Sequence, residues 1–371
     1  MTQYSKKIRY TAFCLMGIVL CLMIFLALEV VFRFNPEYGR AGFAFDTDLI
    51  WRLNKGLVAT KAYAMGQAGK DPFVLKFNNR GFRGEKFRKR KSAHKQRILV
   101  IGDSYTAGLD YPDSEIFTGQ LERELNKNPD TQYEVLNASC PAWGTDQHYT
   151  YWETEGKQYA PDYVMVMVAP NDMREMYNKK LVAIDSQGDI DRQRAALPIR
   201  ERVGWYLATK SSFFQFLQKK VFKTNYGDFL KIFHYYPVNY GKKDSTDWDL
   251  PIFLKDPFPE VAASYQMCEK LLTTIDQDCK EMGAKFMVGI IPTKAEFDGS
   301  YEKTGEHQPG KVAMFLDSIT RQHQIPFLNL YDINAQEEDP LAIFMSWEYH
   351  FNKAGHDFTA KHLVPFVKGN L

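Results

Sequence analysis

Apolar and polar positions fall into three regimes along the chain. Residues Tyr10–Leu28 carry no charge and are mostly Leu, Ile, Met, Phe and Val. At a rise of 1.5 Å per residue, about 20 such residues cross a hydrocarbon core of about 30 Å. From Arg97 onward, short apolar runs alternate with amphipathic stretches. Ile98–Ile101, Tyr133–Asn137, Tyr163–Val168, Phe286–Ile291 and Phe327–Leu330 predict strands, while Glu115–Lys127, Thr145–Lys157, Glu260–Met282, Gly310–His323 and Lys353–Val367 predict helices. Strands of this kind separated by helical crossovers predict an α/β domain, its parallel sheet covered on both faces.

Two stretches depart from that rhythm. Residues 35–95 read as an irregular connecting region that ends in a basic run, Lys86, Arg88, Lys89, Arg90, Lys91, Lys95 and Arg97. That run is a solvated loop or a contact for anionic headgroups or an acidic glycan. Residues 181–259 form an insertion rich in Phe, Tyr and Trp, in which Ser212 is placed to cap a short helix bearing Phe213, Phe216 and Leu217. The insertion reads as a subdomain with its own small core, or as a lid or membrane-leaning surface. The predicted organisation is therefore a cytoplasmic stub and transmembrane signal anchor (1–34), the connection (35–95) and a domain over 96–371.

Lys6, Lys7 and Arg9 precede the apolar run, which places the N-terminus in the cytoplasm and the remainder in the periplasm or outside. A cleaved signal peptide competes with this reading, but no small-x-small site follows the run cleanly. A formal charge of +2 over 371 residues gives no reason to expect a nucleic-acid partner. The five cysteines show no metal-ligand spacing. Cys268 and Cys279, on one predicted helix, are about 16 Å apart along its axis, too far for a disulfide.

The candidate chemistry begins at Gly102-Asp103-Ser104, where the first predicted strand stops and delivers a serine onto a tight turn. Three further segments lie at comparable positions. Gly144 follows the second strand just before a helix, Asn171 follows the third, and Trp347-Glu348-Tyr349-His350 precedes the last helix. A serine is a poor nucleophile without a base, and His350 can take and return its proton. Glu348 is the nearest acid to hold the imidazole in its useful tautomer. The Ser104 and Gly144 N–H groups and the Asn171 amide can together form an oxyanion hole. Trp143, His148 and Trp347 are the candidate substrate contacts, with packing as the plainer role for both tryptophans. Asp103 and Asp172 read as braces of their turns, and His356 and His362 as core or helix-surface residues.

In this set of residues the chain resembles the SGNH (GDSL) hydrolase superfamily, whose four blocks supply Ser, Gly, Asn and His, matched here by Ser104, Gly144, Asn171 and His350. The segment Asn79-Arg80-Gly81-Phe82-Arg83-Gly84 also resembles one that precedes the serine block in anchored bacterial members. The resemblance implies a three-layer α/β/α sandwich with a flavodoxin-like parallel sheet, and ester chemistry on acylated sugars or lipids. The chain departs from the pattern at Trp347, where many members have Asp, and at Ala169, where Gly is common.

The combined expectation is a single-pass anchored serine esterase or deacylase, without a cofactor, acting on O-acyl groups of an envelope or exported polysaccharide. Three rivals stand beside it. One is an O-acyltransferase using the same Ser–His site with a multi-pass membrane partner. The others are a lipid esterase and a non-catalytic glycan-binding or assembly component.

Overall fold

Five short runs dominated by Ile, Val, Leu, Met and Phe pair side by side as a parallel sheet: β1 (Lys95–Gly102), β2 (Gln132–Asn137), β3 (Tyr163–Val168), β4 (Lys285–Ile290) and β5 (Phe327–Asn329). In this computed structural model the strand order is β2-β1-β3-β4-β5. That is the flavodoxin-like order, and its switch point lies between β1 and β3. The register sets Val100 beside Asn137 on β2 and Met165 on β3, and Gly102 beside Met167. The description covers all residues except 1–2, 35–41, 62–71, 129, 180, 193–198, 222–249, 302–304 and 347. The chain divides into two compact units, Met1–Phe45 with Leu197–Pro237, and Asp46–Ala196 with Val238–Leu371.

The helices are α1 (Gln3–Arg33), α2 (Ser104–Ala107), α3 (Phe117–Leu125), α4 (Thr145–Thr154), α5 (Pro170–Lys179), α6 (Ile199–Lys210), α7 (Ser212–Phe216), α8 (Pro259–Met282), α9 (Lys311–His323), α10 (Leu330–Asn334) and α11 (Lys353–Lys368). In the larger unit, Ile98, Val100, Met165, Met167 and Met287 share one core with Phe117 and Leu121 of α3 and Leu363 and Val367 of α11. α4, α5 and α8 pack together as another layer. Burial on both faces explains why β3, β4 and the second half of β1 are apolar rather than alternating, whereas the edge strand β2 is mixed and only partly buried. Each predicted strand and helix is present with ends shifted by a few residues. α2, α5, α6 and α10 are additions; the sequence predicts no helix after the third strand, yet Pro170 opens α5 as its first residue, where a missing N–H costs nothing.

The described residues of 46–95, which read from sequence as an irregular connecting region, belong to the larger unit. Trp51, Phe77 and Phe82 are buried. Arg97, read with the basic run, is 1% exposed and structural. Its guanidinium donates to Glu134 Oε2 (2.9 Å), Tyr159 O (2.6 Å), Lys89 O (2.9 Å) and Arg88 O (2.8 Å), so it holds the backbone of the run that contains it. Arg83 does the same for the loop after α2. It donates to Gly108 O (2.7 Å), Tyr111 O (2.8 Å) and Ala107 O (3.3 Å), and its Nε to Asp113 Oδ1 (2.7 Å).

The described part of the smaller unit contains α1, α6 and α7. Ile8–Arg33 is a helix long and apolar enough to cross a membrane. The cap of α7 is Ser211, not Ser212: the Ser211 Oγ accepts from the Phe214 N–H at 3.1 Å. Glu29 of α1 completes that cap, accepting from Ser211 Oγ (2.7 Å), the Ser212 N–H (3.0 Å) and the Phe213 N–H (3.1 Å). A carboxylate there meets orphan donors and the positive end of the helix dipole. Phe213 lies 5.5 Å and Phe216 4.3 Å, ring to ring, from Phe32 of α1. The insertion's aromatic residues from Phe222 to Trp248 lie outside the described residues.

Arg83 gives the fold its clearest test. Arg83→Ala strips a donor fork from buried carbonyls and leaves Asp113 without its partner, a loss of about 3 kcal/mol. Urea unfolding followed by circular dichroism should show it. Arg83→Lys should recover only part, because one ammonium cannot span the four acceptors.

Candidate active site

β1 ends at Gly102 because the chain must turn hard into α2. A Cβ on Gly102 would stand 2.3 Å from Thr106 Oγ1 and 3.1 Å from Met167 O. Asp103 follows as N-cap of α2, its Oδ1 accepting the Tyr105 N–H at 3.0 Å. Ser104 is then the first residue of α2, with a first-turn N–H that the helix cannot satisfy itself. Gly108 closes α2 in the left-handed conformation at φ 54°.

At the end of β3, Asp172 Oδ2 accepts the Ala169 N–H at 2.9 Å, which braces the turn and aims Asn171 at β1. The Asn171 Nδ2 donates to Asp103 Oδ2 at 3.0 Å, and Ser104 Oγ lies 3.3 Å from the same oxygen. An Asn amide nitrogen carries two hydrogens. Asp103 takes one and thereby orients the other.

The loop before α11 brings in the imidazole. An isolated bridge pairs Phe344 with Phe351, and the Met345 N–H donates to His350 O at 2.9 Å. Lys294, from the segment after β4, donates to Met345 O (2.8 Å) and Ser346 O (3.0 Å). Tyr105 OH donates to Tyr349 O at 2.8 Å. Held in this way, His350 sets Nε2 2.8 Å from Ser104 Oγ, and Nδ1 lies 3.4 Å from Glu348 Oε1, an ion-pair distance longer than a good hydrogen bond. Burial pulls the His350 pKa down, but the Glu348 carboxylate and the Asp103 charge outweigh it and hold the group above its ordinary 6.5. Burial pushes the Asp103 carboxyl up despite its donors. His356 is different: burial and the Arg83 charge depress it to about 3, so it stays neutral in the core, 5.3 Å ring to ring from Tyr111.

The structure thus brings Ser104, Asn171 and His350 together beside Asp103, with Glu348 on the Nδ1 side of the His350 ring. Gly144 is placed differently. Its single N–H donates to Gln147 Oε1 at 3.1 Å and is buried. Gln147 is fixed in turn, its Nε2 donating to Leu49 O at 2.5 Å. The glycine is needed for close packing: a Cβ would come within 2.7 Å of both Asp172 O and Met176 N on α5. Trp143 is 3% exposed, and its Nε1 donates to Trp51 O (2.9 Å), while Trp51 Nε1 donates to Pro141 O (2.9 Å). His148 is fully enclosed, 3.9 Å from the equally buried Asp172 Oδ2. Neither Trp143 nor His148 offers a surface to a substrate in this structure, because both are spent in the packing of α4. Trp347 lies outside the described residues. Among the described residues no group of three or more His, Cys, Asp or Glu side chains could hold a metal ion.

Two features escaped the sequence reading. Asp103 joins two blocks as well as bracing its own turn; the signal was a buried-type position occupied by a carboxylate. Ala142, half-buried in the Cys140–Gly144 loop, holds a left-handed φ of 60°, and Ile50, first residue of the short strand Ile50–Leu53 whose Trp51 bonds that loop, has φ 66°. Non-glycine residues in this region are strained, and such strain collects at functional loops. Ala142→Gly should relieve it and raise stability by about 1 kcal/mol, read as a higher midpoint in thermal or urea unfolding.

Comparison with known proteins adds the following. The profile of the GDSL-like lipase/acylhydrolase family matches residues 100–358. No curated protein matches the chain. Among solved structures, TesA is similar at 12% identity, over 74% of this chain and 100% of its own, with a TM-score of 0.42. A lipase/acylhydrolase from Enterococcus faecalis is similar at 12% identity, over 74% and 97%, with a TM-score of 0.42. A variant of the acetyl xylan esterase Axe2 from Geobacillus stearothermophilus is similar at 13% identity, over 76% and 97%, with a TM-score of 0.41.

Proposed function

The chain belongs to the GDSL-like lipase/acylhydrolase family, and from that premise we propose that it is a membrane-anchored serine ester hydrolase removing O-acyl groups from an envelope or exported polysaccharide. The observation that carries the reading is the 2.8 Å approach of His350 Nε2 to Ser104 Oγ, with Glu348 on the Nδ1 side of the ring.

In this mechanism Ser104 Oγ attacks the ester carbonyl carbon while its proton passes to His350 Nε2. The carbonyl oxygen becomes an oxyanion, met by the Ser104 N–H and by the second Nδ2 hydrogen of Asn171. Gly144, with its one hydrogen held by Gln147, does not join them as a third donor. The bond to the sugar oxygen then breaks as Nε2 returns the proton to that oxygen, leaving acyl-Ser104. Water attacks the acyl carbon, gives its proton to His350 and releases the acid, and Ser104 regains its hydrogen.

Two observations favour a polymer outside the membrane as substrate. His350 and Glu348 are half-exposed, and the neighbouring Tyr349 is 62% exposed, an aromatic residue of the kind sugars stack on. The anchor reading is supported by Glu29: removing α1 would strip the cap from α7 and uncover Phe213 and Phe216.

Incubating the full-length protein with a fluorophosphonate and with p-nitrophenyl acetate tests the proposal. Labelling and turnover should both vanish in Ser104→Ala; labelling that persists in that variant, or no turnover by the parent, overturns it. The pH profile is a separate test. His350 must be neutral to act as base, and it is held above 6.5, so kcat/KM should fall as pH drops through a midpoint above that value. Glu348→Gln removes the main raising influence. It should move the midpoint down and lower kcat; an unchanged profile would remove Glu348 from the site.

A further inference from the structure

We infer that α6 lies on the membrane surface beside the point where α1 leaves the bilayer, with Ile199, Val203 and Tyr206 facing lipid. The inference rests on the anchored reading of α1 and adds a second element of the same unit to the membrane contact. Its first support is the position of Glu29. Phe25, Glu29 and Phe32 fall at i, i+4 and i+7 and so share one face of α1. Glu29 is the first charged residue after the uncharged run Tyr10–Leu28. With that run in the hydrocarbon, Glu29 stands at headgroup level. α7 is fastened at the same level through the three hydrogen bonds to Glu29 and the rings of Phe213 and Phe216.

The second support is continuity. α6 ends at Lys210, and the Ser211 N–H still donates to Leu207 O at 3.0 Å, so α6 runs directly into the capped start of α7. A 12-residue helix is about 18 Å long, so no part of α6 lies far from the interface. The third support is its surface. Ile199, Val203 and Tyr206 are 73%, 50% and 65% exposed. Their spacing aligns them in one stripe, while Gly204, Ala208 and Thr209 are buried on the other side. Single exposed apolar side chains are ordinary, whereas a stripe continuous with the end of a membrane span has an apolar occupant at hand. Tyr206 suits the interfacial belt, and Lys210 and Arg33 bring cations to the headgroup layer.

The test uses the full-length protein in vesicles of phosphatidylcholine and phosphatidylglycerol. Cys14 and Cys21, the exposed cysteines, are replaced by serine. An environment-sensitive fluorophore is then placed singly at Val19→Cys, Val203→Cys or Arg321→Cys, the last an exposed position of the other unit. The Val203 probe should emit to the blue of the Arg321 probe and be quenched several-fold more strongly by lipids brominated on their acyl chains. A Val203 probe that matches the Arg321 probe while the Val19 probe is quenched overturns the inference and leaves the anchor intact. A blue-shifted but unquenched Val203 probe also overturns it, in favour of a protein occupant such as a second copy of the chain. An unquenched Val19 probe overturns the anchored reading itself.

Discussion

A carboxylate removed from water must find protein donors for its lone pairs, or its burial costs several kcal/mol. Asp103 is wholly buried, and it meets that demand from two directions, the Tyr105 N–H of its own turn and Asn171 Nδ2 from the end of β3, with Ser104 Oγ 3.3 Å from one of its oxygens. The consequence is geometric. The end of β1 and the start of α5 are fixed to one another through Asp103 Oδ2, while Oδ1 holds the turn, and Asn171 has one amide hydrogen committed and the other aimed. The serine hydroxyl has a single proton and two acceptors in reach. His350 Nε2 at 2.8 Å is nearer than Asp103 Oδ2 at 3.3 Å, so the shorter contact directs the proton to the imidazole.

The loops around that centre are held by cations and amides that reach into them from elsewhere in the chain. Arg83 collects the carbonyls that follow α2, Lys294 those that precede His350, and Asn352 donates to Ala342 O and Phe344 O while accepting the Gly355 N–H that starts α11. Each is a side chain satisfying backbone groups that no strand or helix partner can reach. Loops carry the chemistry of open α/β sheets, and here their positions are set by side chains rather than by the sheet itself.

This division of labour decides what could be read from the residues. The central strands were legible because burial on both faces makes them apolar, and Ser104, Asn171 and His350 because they end strands or precede a helix. Residues 46–95 were not, since Trp51, Phe82 and Arg83 find partners far away in sequence, and no periodicity announces such contacts. Arg97 was hidden in a run of lysines and arginines from which only its burial separates it. Gly144 reads from sequence as an available N–H; in the structure that N–H meets Gln147 Oε1, and the 2.7 Å approach of α5, a helix the sequence does not predict, leaves no room for a Cβ. Ser211 and Ser212 are adjacent and chemically alike. Only the Glu29 carboxylate, far upstream in the chain, decides which of them caps.

The position of the acid follows from the same argument. Glu348 and His350 are two residues apart on a loop closed by the Phe344–Phe351 bridge, so one backbone conformation sets both side chains. An acid carried on its own strand could orient the ring independently of the loop, whereas Glu348 moves with the residue it serves. It is also half-exposed, and solvent screens its charge. In the proposed mechanism it both favours the tautomer that leaves Nε2 free to accept from Ser104 and, despite that screening, is the main influence holding the imidazole above its ordinary pKa. Developing negative charge is met, in that mechanism, on the other side of Ser104, by Asn171 and the serine's own N–H. That side is built on Asp103, a carboxylate with no exposure to water. Hydrogen bonds anchored there count for more than they would at the surface.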